Sequence, residues 1–255
     1  LRPFNNLIDT IHRIYETHNL KLRLRGRFTS EVNSLIDSFN RMLDELQKKD
    51  DVITAAKQNI EDSISVANRV LVSKLPTRNE FDTVFSASAI CWKPRDIVGG
   101  DVYWLKDFGG RIYLACIDCT GHGVPGSFIA MMALSSFEKI PHTTYEWLDL
   151  RDVVETIHSN FQEQFTSTDV GISFKDGFAL SLFCFDKGNE SVSFVGMGQD
   201  ALVKEESGAV LIQKGNRKAI GYGDYFSAES LLVHQRAWRA EDTYFIYTDG
   251  LTTQV

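Results

Sequence analysis

Apolar residues recur every seven positions from Val32 through Phe39, Leu46, Ile53 and Ile60 to Ala67 without a break. A chain with that repeat builds a helix that winds against another helix. The companion seam, Leu35, Met42, Lys49, Ala56, Ser63 and Val70, opens on two good core residues and then turns polar or small. It is strong up to Leu46 and weak until Val70, which is not how a uniformly stable rod is written. Upstream, Pro3 opens a shorter helix striped with Phe4, Leu7, Ile11 and Ile14, and a connector follows over residues 19–30. One such hairpin cannot bury a two-sided stripe, so the expected assembly is a parallel homodimer of hairpins.

From Thr77 onward the period changes to two. The expected strands are Val84–Cys91, Val102–Lys106, Ile112–Ile117, Phe178–Phe185, Val192–Val195, Leu202–Glu205, Val210–Ile212, Leu231–Gln235 and Tyr244–Tyr247. Two helices interrupt them. Gly126 to Lys139 carries Phe128, Ile129, Met132, Leu134 and Phe137, and Leu150 to Phe165 carries Val153, Val154, Ile157 and Phe161, both at helical spacing. Many strands with two adjacent helices make an α+β layered domain.

The chain of 255 residues is 43% hydrophobic and 11% aromatic, enough for a real core. Its charge is uneven. Residues 1–50 hold nine Lys and Arg against seven Asp and Glu, leaving 18 against 27 in residues 51–255, so nucleic acid is not an expected partner. The basic group Lys21, Arg23, Arg25 and Arg27 is read as a solvated connector before a lipid-facing patch. No run of about 18 apolar residues could span a bilayer. The chain opens on Leu1 and ends just after a motif, and it is read as a piece of something longer. Cys116 and Cys119 match C-x-x-C, but in a strand positions i and i+3 point to opposite faces, so the thiols do not share a metal.

Three acids stand at strand ends beside glycine. Asp118-Cys119-Thr120-Gly121-His122-Gly123 ends the run Ile112 to Ile117, Gly99-Gly100-Asp101 lies seventeen residues upstream, and Tyr244 to Tyr247 runs into Thr248-Asp249-Gly250. Acids so placed can converge in space. Hard divalent cations take carboxylate, carbonyl and water oxygens, and neighbouring glycines let the backbone come close. His122 is read as a turn residue rather than a ligand.

In that order, GGD, D-x-x-G-H-G and T-D-G resemble the SpoIIE-like branch of the metal-dependent PPM serine/threonine phosphatases. Leu71 to Pro76, Pro94 to Val98 and Ala219 to Tyr222 resemble it too, so the likeness covers roughly residues 70–255. The first fifty residues, above all Glu31 to Leu43 with Phe39-Asn40-Arg41-Met42, resemble a HAMP domain, the parallel four-helix linker of bacterial membrane receptors. The arrangement is similar to the SiaA-type receptor phosphatases. The resemblance implies a PPM-type sandwich of two antiparallel β-sheets flanked by helices, preceded by an all-α HAMP-like hairpin and a coiled-coil signalling helix. It divides the chain into a linker domain at 1–50, a signalling helix at 51–75 and a phosphatase domain at 76–255.

It also implies roles. Asp118 would bridge two Mn²⁺ or Mg²⁺ ions, Asp101 would bind one with the carbonyl of Cys119, and Asp249 would bind the other. Arg95 is the candidate for facing the substrate phosphate, with Lys93 beside it. A fourth metal acid is expected in an Asp-Asp-x-[Thr/Ser] segment after Val255, and a transmembrane helix before Leu1 at the bacterial inner membrane, cytoplasmic side. The implied substrate is a phosphoserine or phosphothreonine on a small STAS-domain regulatory protein of the anti-sigma-factor-antagonist type. Three other readings compete, and a histidine kinase fares worst, since no phosphoacceptor His or Gly-rich nucleotide-binding boxes follow the helices. A diguanylate cyclase would also begin Gly-Gly-Asp, but Val102-Tyr103 breaks that signature; an inactive phosphatase-like scaffold has three well-placed acids against it.

Overall fold

The computed structural model describes residues 2–140, 149–166, 176–221 and 227–252; Tyr222 and Thr253 to Val255 of the quoted motifs lie outside them. The chain divides into two compact units, Leu1–Ser63 and Ile64–Val255.

In the first unit, helix α1 (Arg2–Thr17) and the opening of helix α2 (Ser30–Val72) form a hairpin around Ile14, Leu24, Ile36 and Leu43. Two asparagines of α2 hold the connector as a neighbouring strand would. Asn40 accepts from the Leu24 amide at 2.9 Å and donates to its carbonyl at 3.0 Å, and Asn33 does the same for Phe28 at 3.2 and 3.0 Å. Backbone groups of an irregular segment are thereby satisfied without a sheet. Arg23 of the basic group is not simply solvated, since its guanidinium reaches Asp44 at 2.6 Å. One side of the α2 stripe stays outside this core: Leu35, Met42, Leu46, Ile53 and Ile60 are all exposed, Leu35 by 67%.

The second unit is α+β, with every strand pair within its two sheets antiparallel. Strands β1 (Val102–Asp107), β2 (Arg111–Cys119), β3 (Gly177–Asp186), β4 (Ser191–Met197) and β8 (His234–Ala237) follow one another across the larger sheet. The short β7 (Ile220–Gly221) pairs with the start of β3. The smaller sheet has the order β6 (Val210–Gln213), β5 (Ala201–Lys204), β9 (Thr243–Phe245).

Alternation along β3 accounts for the layering. Phe178, Leu180, Leu182 and Cys184 join a core with helices α4 (Gly123–Glu138) and α5 (Leu150–Thr166), whereas Phe183 and Phe185 point the other way, toward Ala201, Val203 and Tyr244 of the smaller sheet. The larger sheet is therefore covered on both faces, which is why β3 reads as an almost continuous apolar run.

Three expectations need correction. Val84–Cys91 is not a strand. Instead Thr77 and Glu80 form a reciprocal capping box that starts helix α3 (Arg78–Val84), and Phe85 after it packs its ring 5.2 Å from that of Phe185. The strand expected at Leu231–Gln235 begins only at His234, because a 3-10 turn at Ala228–Ser230 and the side chain of Asn216, which accepts from the Leu232 amide at 2.8 Å, occupy the preceding residues. Phe128 is 63% exposed, so the buried face of α4 is carried by Ile129, Ala130, Ala133, Leu134 and Phe137.

Candidate metal-binding site

The register of the β1–β2 hairpin decides where the first two acids fall. Val102 pairs with Ile117, so one further step along the same ladder sets Asp101 opposite Asp118. Both have the parity of Tyr103, Leu105, Ile112 and Leu114, the face that looks toward the smaller sheet. Opposed residues on one face are close neighbours, and like charges there repel.

The third acid arrives from the smaller sheet. After β9 the chain turns into the short helix α6 (Asp249–Thr252), and the Asp249 amide donates to Asp118 Oδ2 at 3.4 Å. Thr248 donates its hydroxyl to Asp101 Oδ2 at 2.7 Å. The three acids thus meet at one edge. Burial first, then the carboxylate of Asp101 and then that of Asp249, pushes Asp118 up to about 6.

The backbone around the acids is held close. A Cβ on Gly100 would lie 2.9 Å from the Gly121 carbonyl and 3.0 Å from that of Cys119, so only glycine lets these strands approach. Gly121 and Gly123 both have positive φ and carry the chain from β2 into α4. Trp92 donates its indole N–H to the Asp101 carbonyl at 2.8 Å. Thr120 fastens the other side, donating to the Gly177 carbonyl at 3.1 Å and to Asp176 at 3.2 Å. Asp176 is therefore tied into the turn before β3.

Other residues fall elsewhere. The Cys119 side chain is buried in the core shared with α4 and α5 while its carbonyl faces Gly100, and Cys116 lies on the opposite face of β2. Burial, reinforced by the nearby acids, pushes Cys116 up to about 12 and Cys119 well above the usual thiol range, so neither is a thiolate nucleophile at neutral pH. His122 stands at the N-terminus of α4 with its Nδ1 3.0 Å from Asp96 Oδ2. Arg95 and Lys93 are exposed.

The donor set has the chemistry a hard divalent cation takes: two opposed carboxylates, a third whose charge acts on Asp118, a backbone carbonyl and mutual repulsion that a cation would relieve. Among the described residues, no three His, Cys, Asp or Glu side chains are drawn tightly enough to form a ligand cluster by themselves. A residue that the motifs did not reveal also belongs here. Gln199, between β4 and β5, points its amide Nε2 at Asp118 Oδ2, 3.5 Å away. Its sequence signal is a polar residue after glycine at a strand end, the same grammar as the acids.

The family model for Stage II sporulation protein E (SpoIIE) matches residues 109–254, more than half of the chain. The chain belongs to the SpoIIE family. It carries a serine/threonine phosphatase domain of the PP2C/SpoIIE type, and the model of the HAMP domain matches residues 1–48. Among solved structures it is similar to the SiaA-PP2C domain of Pseudomonas aeruginosa, at 26% identity over 77% of this chain and 74% of that one, with a TM-score of 0.63. The PP2C phosphatase domain of SpoIIE from Bacillus subtilis, solved with a fragment of its regulatory domain, matches at 21% identity over 64% and 45%, with a TM-score of 0.49. The catalytic domain of the phosphatase PstP in complex with two manganese ions matches at 12% identity over 66% and 78%, with a TM-score of 0.46. No curated protein matches the chain in sequence.

Proposed function

We propose that this member of the SpoIIE family is a receptor-linked protein phosphatase that hydrolyses phosphoserine or phosphothreonine on a small regulatory protein of the STAS-domain type. The observation that carries it is the meeting of Asp101, Asp118 and Asp249 at one edge of the sandwich. Unaided phosphomonoester hydrolysis is extremely slow, and a pair of Mn²⁺ or Mg²⁺ ions, when bound, supplies charge neutralisation and activates the attacking water. The residues divide the rest of the work. Asp118 lies centrally and would contact both ions, Asp101 would hold one with the Cys119 carbonyl, and Asp249 the other. Thr248 and Trp92 orient Asp101, which limits the reorganisation needed as charge develops. Arg95, exposed on the loop before Gly99, is the residue proposed to meet the substrate phosphate.

Regulation follows from the division proposed for the chain: a HAMP-like linker at 1–50, a signalling helix at 51–75 and the phosphatase domain at 76–255. The exposed stripe of α2 supports a homodimer through these helices. Among the described residues no helix is long and apolar enough to cross a membrane, and membrane attachment on the cytoplasmic side is proposed through a segment before Leu1. The deciding test is phosphate release from a phosphorylated STAS-domain protein with Mn²⁺, with Mg²⁺ and with chelator. Metal-dependent release is expected; none with either metal would favour an inactive scaffold.

A further inference from the structure

We infer that Gln199 is a positioning residue of the metal site: its amide N–H orients the Asp118 carboxylate, and its carbonyl oxygen is an acceptor for water in the filled site. The inference rests on the reading of Asp118 as a metal ligand.

The segment Gly198-Gln199-Asp200 is braced more heavily than a strand connection requires. The Gly198 amide donates to the Asn216 carbonyl at 2.7 Å, and the Asn216 amide donates back to the Gly196 carbonyl at 2.8 Å. Asp200 accepts from Lys214 Nζ at 2.6 Å and from the Gly215 amide at 2.9 Å, and Ser181 donates to its carbonyl at 3.3 Å. The Gln199 carbonyl is wedged between two glycines: a Cβ on either Gly196 or Gly215 would lie 2.0 Å from its oxygen. So tight a seat fixes the backbone from which the side chain reaches Asp118.

At the far end of that side chain, Nε2 faces Asp118 Oδ2 while Oε1 is buried with no hydrogen-bond partner among the described residues. Exchanging the two atoms would set an oxygen against a carboxylate, so the orientation follows from the acid. A buried acceptor left unmade destabilises the protein that carries it. Such a group beside three acids is explained if a water in the filled site donates to it.

The test is titration of the whole chain with Mn²⁺ by calorimetry, together with the thermal midpoint of the metal-free protein. Gln199→Met keeps the length and removes both polar ends. It is expected to bind Mn²⁺ roughly 10–100-fold more weakly, the usual cost of removing a partner that orients a ligand, with an unchanged or higher metal-free midpoint, because the unpartnered acceptor is gone. Gln199→Asn retains the amide but falls one methylene short, and the same loss of affinity is expected. Parent-like affinity in both variants would overturn the role of Gln199 alone, as would an affinity loss matched by a lowered metal-free midpoint. Failure of the unsubstituted chain to bind Mn²⁺ would overturn the metal site itself, and this inference with it.

Discussion

Asp118 is the residue on which most interactions of the site converge, and its replacement separates chemistry from folding. Asp118→Asn should remove more than about 4 kcal/mol of transition-state stabilisation in a Mn²⁺-supported phosphate-release assay. The metal-free protein should melt no lower than the parent, because the change removes one of three like charges held together. A large fall in melting temperature would show that Asp118 is needed for the fold. Cys119 makes the converse case, since only its carbonyl faces the site. Cys119→Ala should keep turnover while costing about 1 kcal/mol of stability by opening a small gap in the core. Thiol chemistry would be back in contention if turnover collapsed while stability held.

Among the elements, strands and long helices were legible because apolar periodicity reports burial, and β2, β3 and β4 bury both faces or alternate cleanly. Helix α3 was not, because its signal is the four-residue box Thr77 to Glu80 and the apolar pattern after it suggests a strand. Thr77→Ala should lower stability by about 1 kcal/mol at neutral pH, read by chemical denaturation. Bonds from the Thr77 backbone amide and hydroxyl hold Glu80 below its ordinary range. The cap therefore contributes fully above the ordinary glutamate range, and its contribution is lost as the pH falls through the lowered value. The difference between parent and Thr77→Ala should narrow from about pH 5 downward. The acids of the site were legible because glycine marks carboxylates that suit a cation; Gln199 follows a glycine too, but its role lies in a register two strands away and in the close approach of Gly196 and Gly215 to its backbone carbonyl. Gly215→Ala should destabilise by about 3 kcal/mol, the upper end of what overpacking costs, since a carbonyl has to move.

For the whole molecule, the hairpin core uses Ile36 and Leu43 while Leu35, Met42, Leu46, Ile53 and Ile60 remain exposed, a stripe fit for a second helix. Lys49, Ala56 and Ser63 interrupt it and are exposed as well. Replacing the three with leucine should tighten the dimer and fix activity at one level whatever the hairpin does, measured by sedimentation and turnover. Unchanged association would show the stripe to be only a solvated helix surface. The β1–β2 register has one more consequence, in the order of folding. Asp101 and Asp118 lie on a single hairpin closed by residues 108–110, whereas Asp249 is 131 positions beyond Asp118. Joining the longer loop costs about 2 kcal/mol more in chain entropy. Local contacts form first. A nascent chain therefore acquires an opposed pair of acids early and the third only when the smaller sheet closes, so cation capture should accompany the last step of folding.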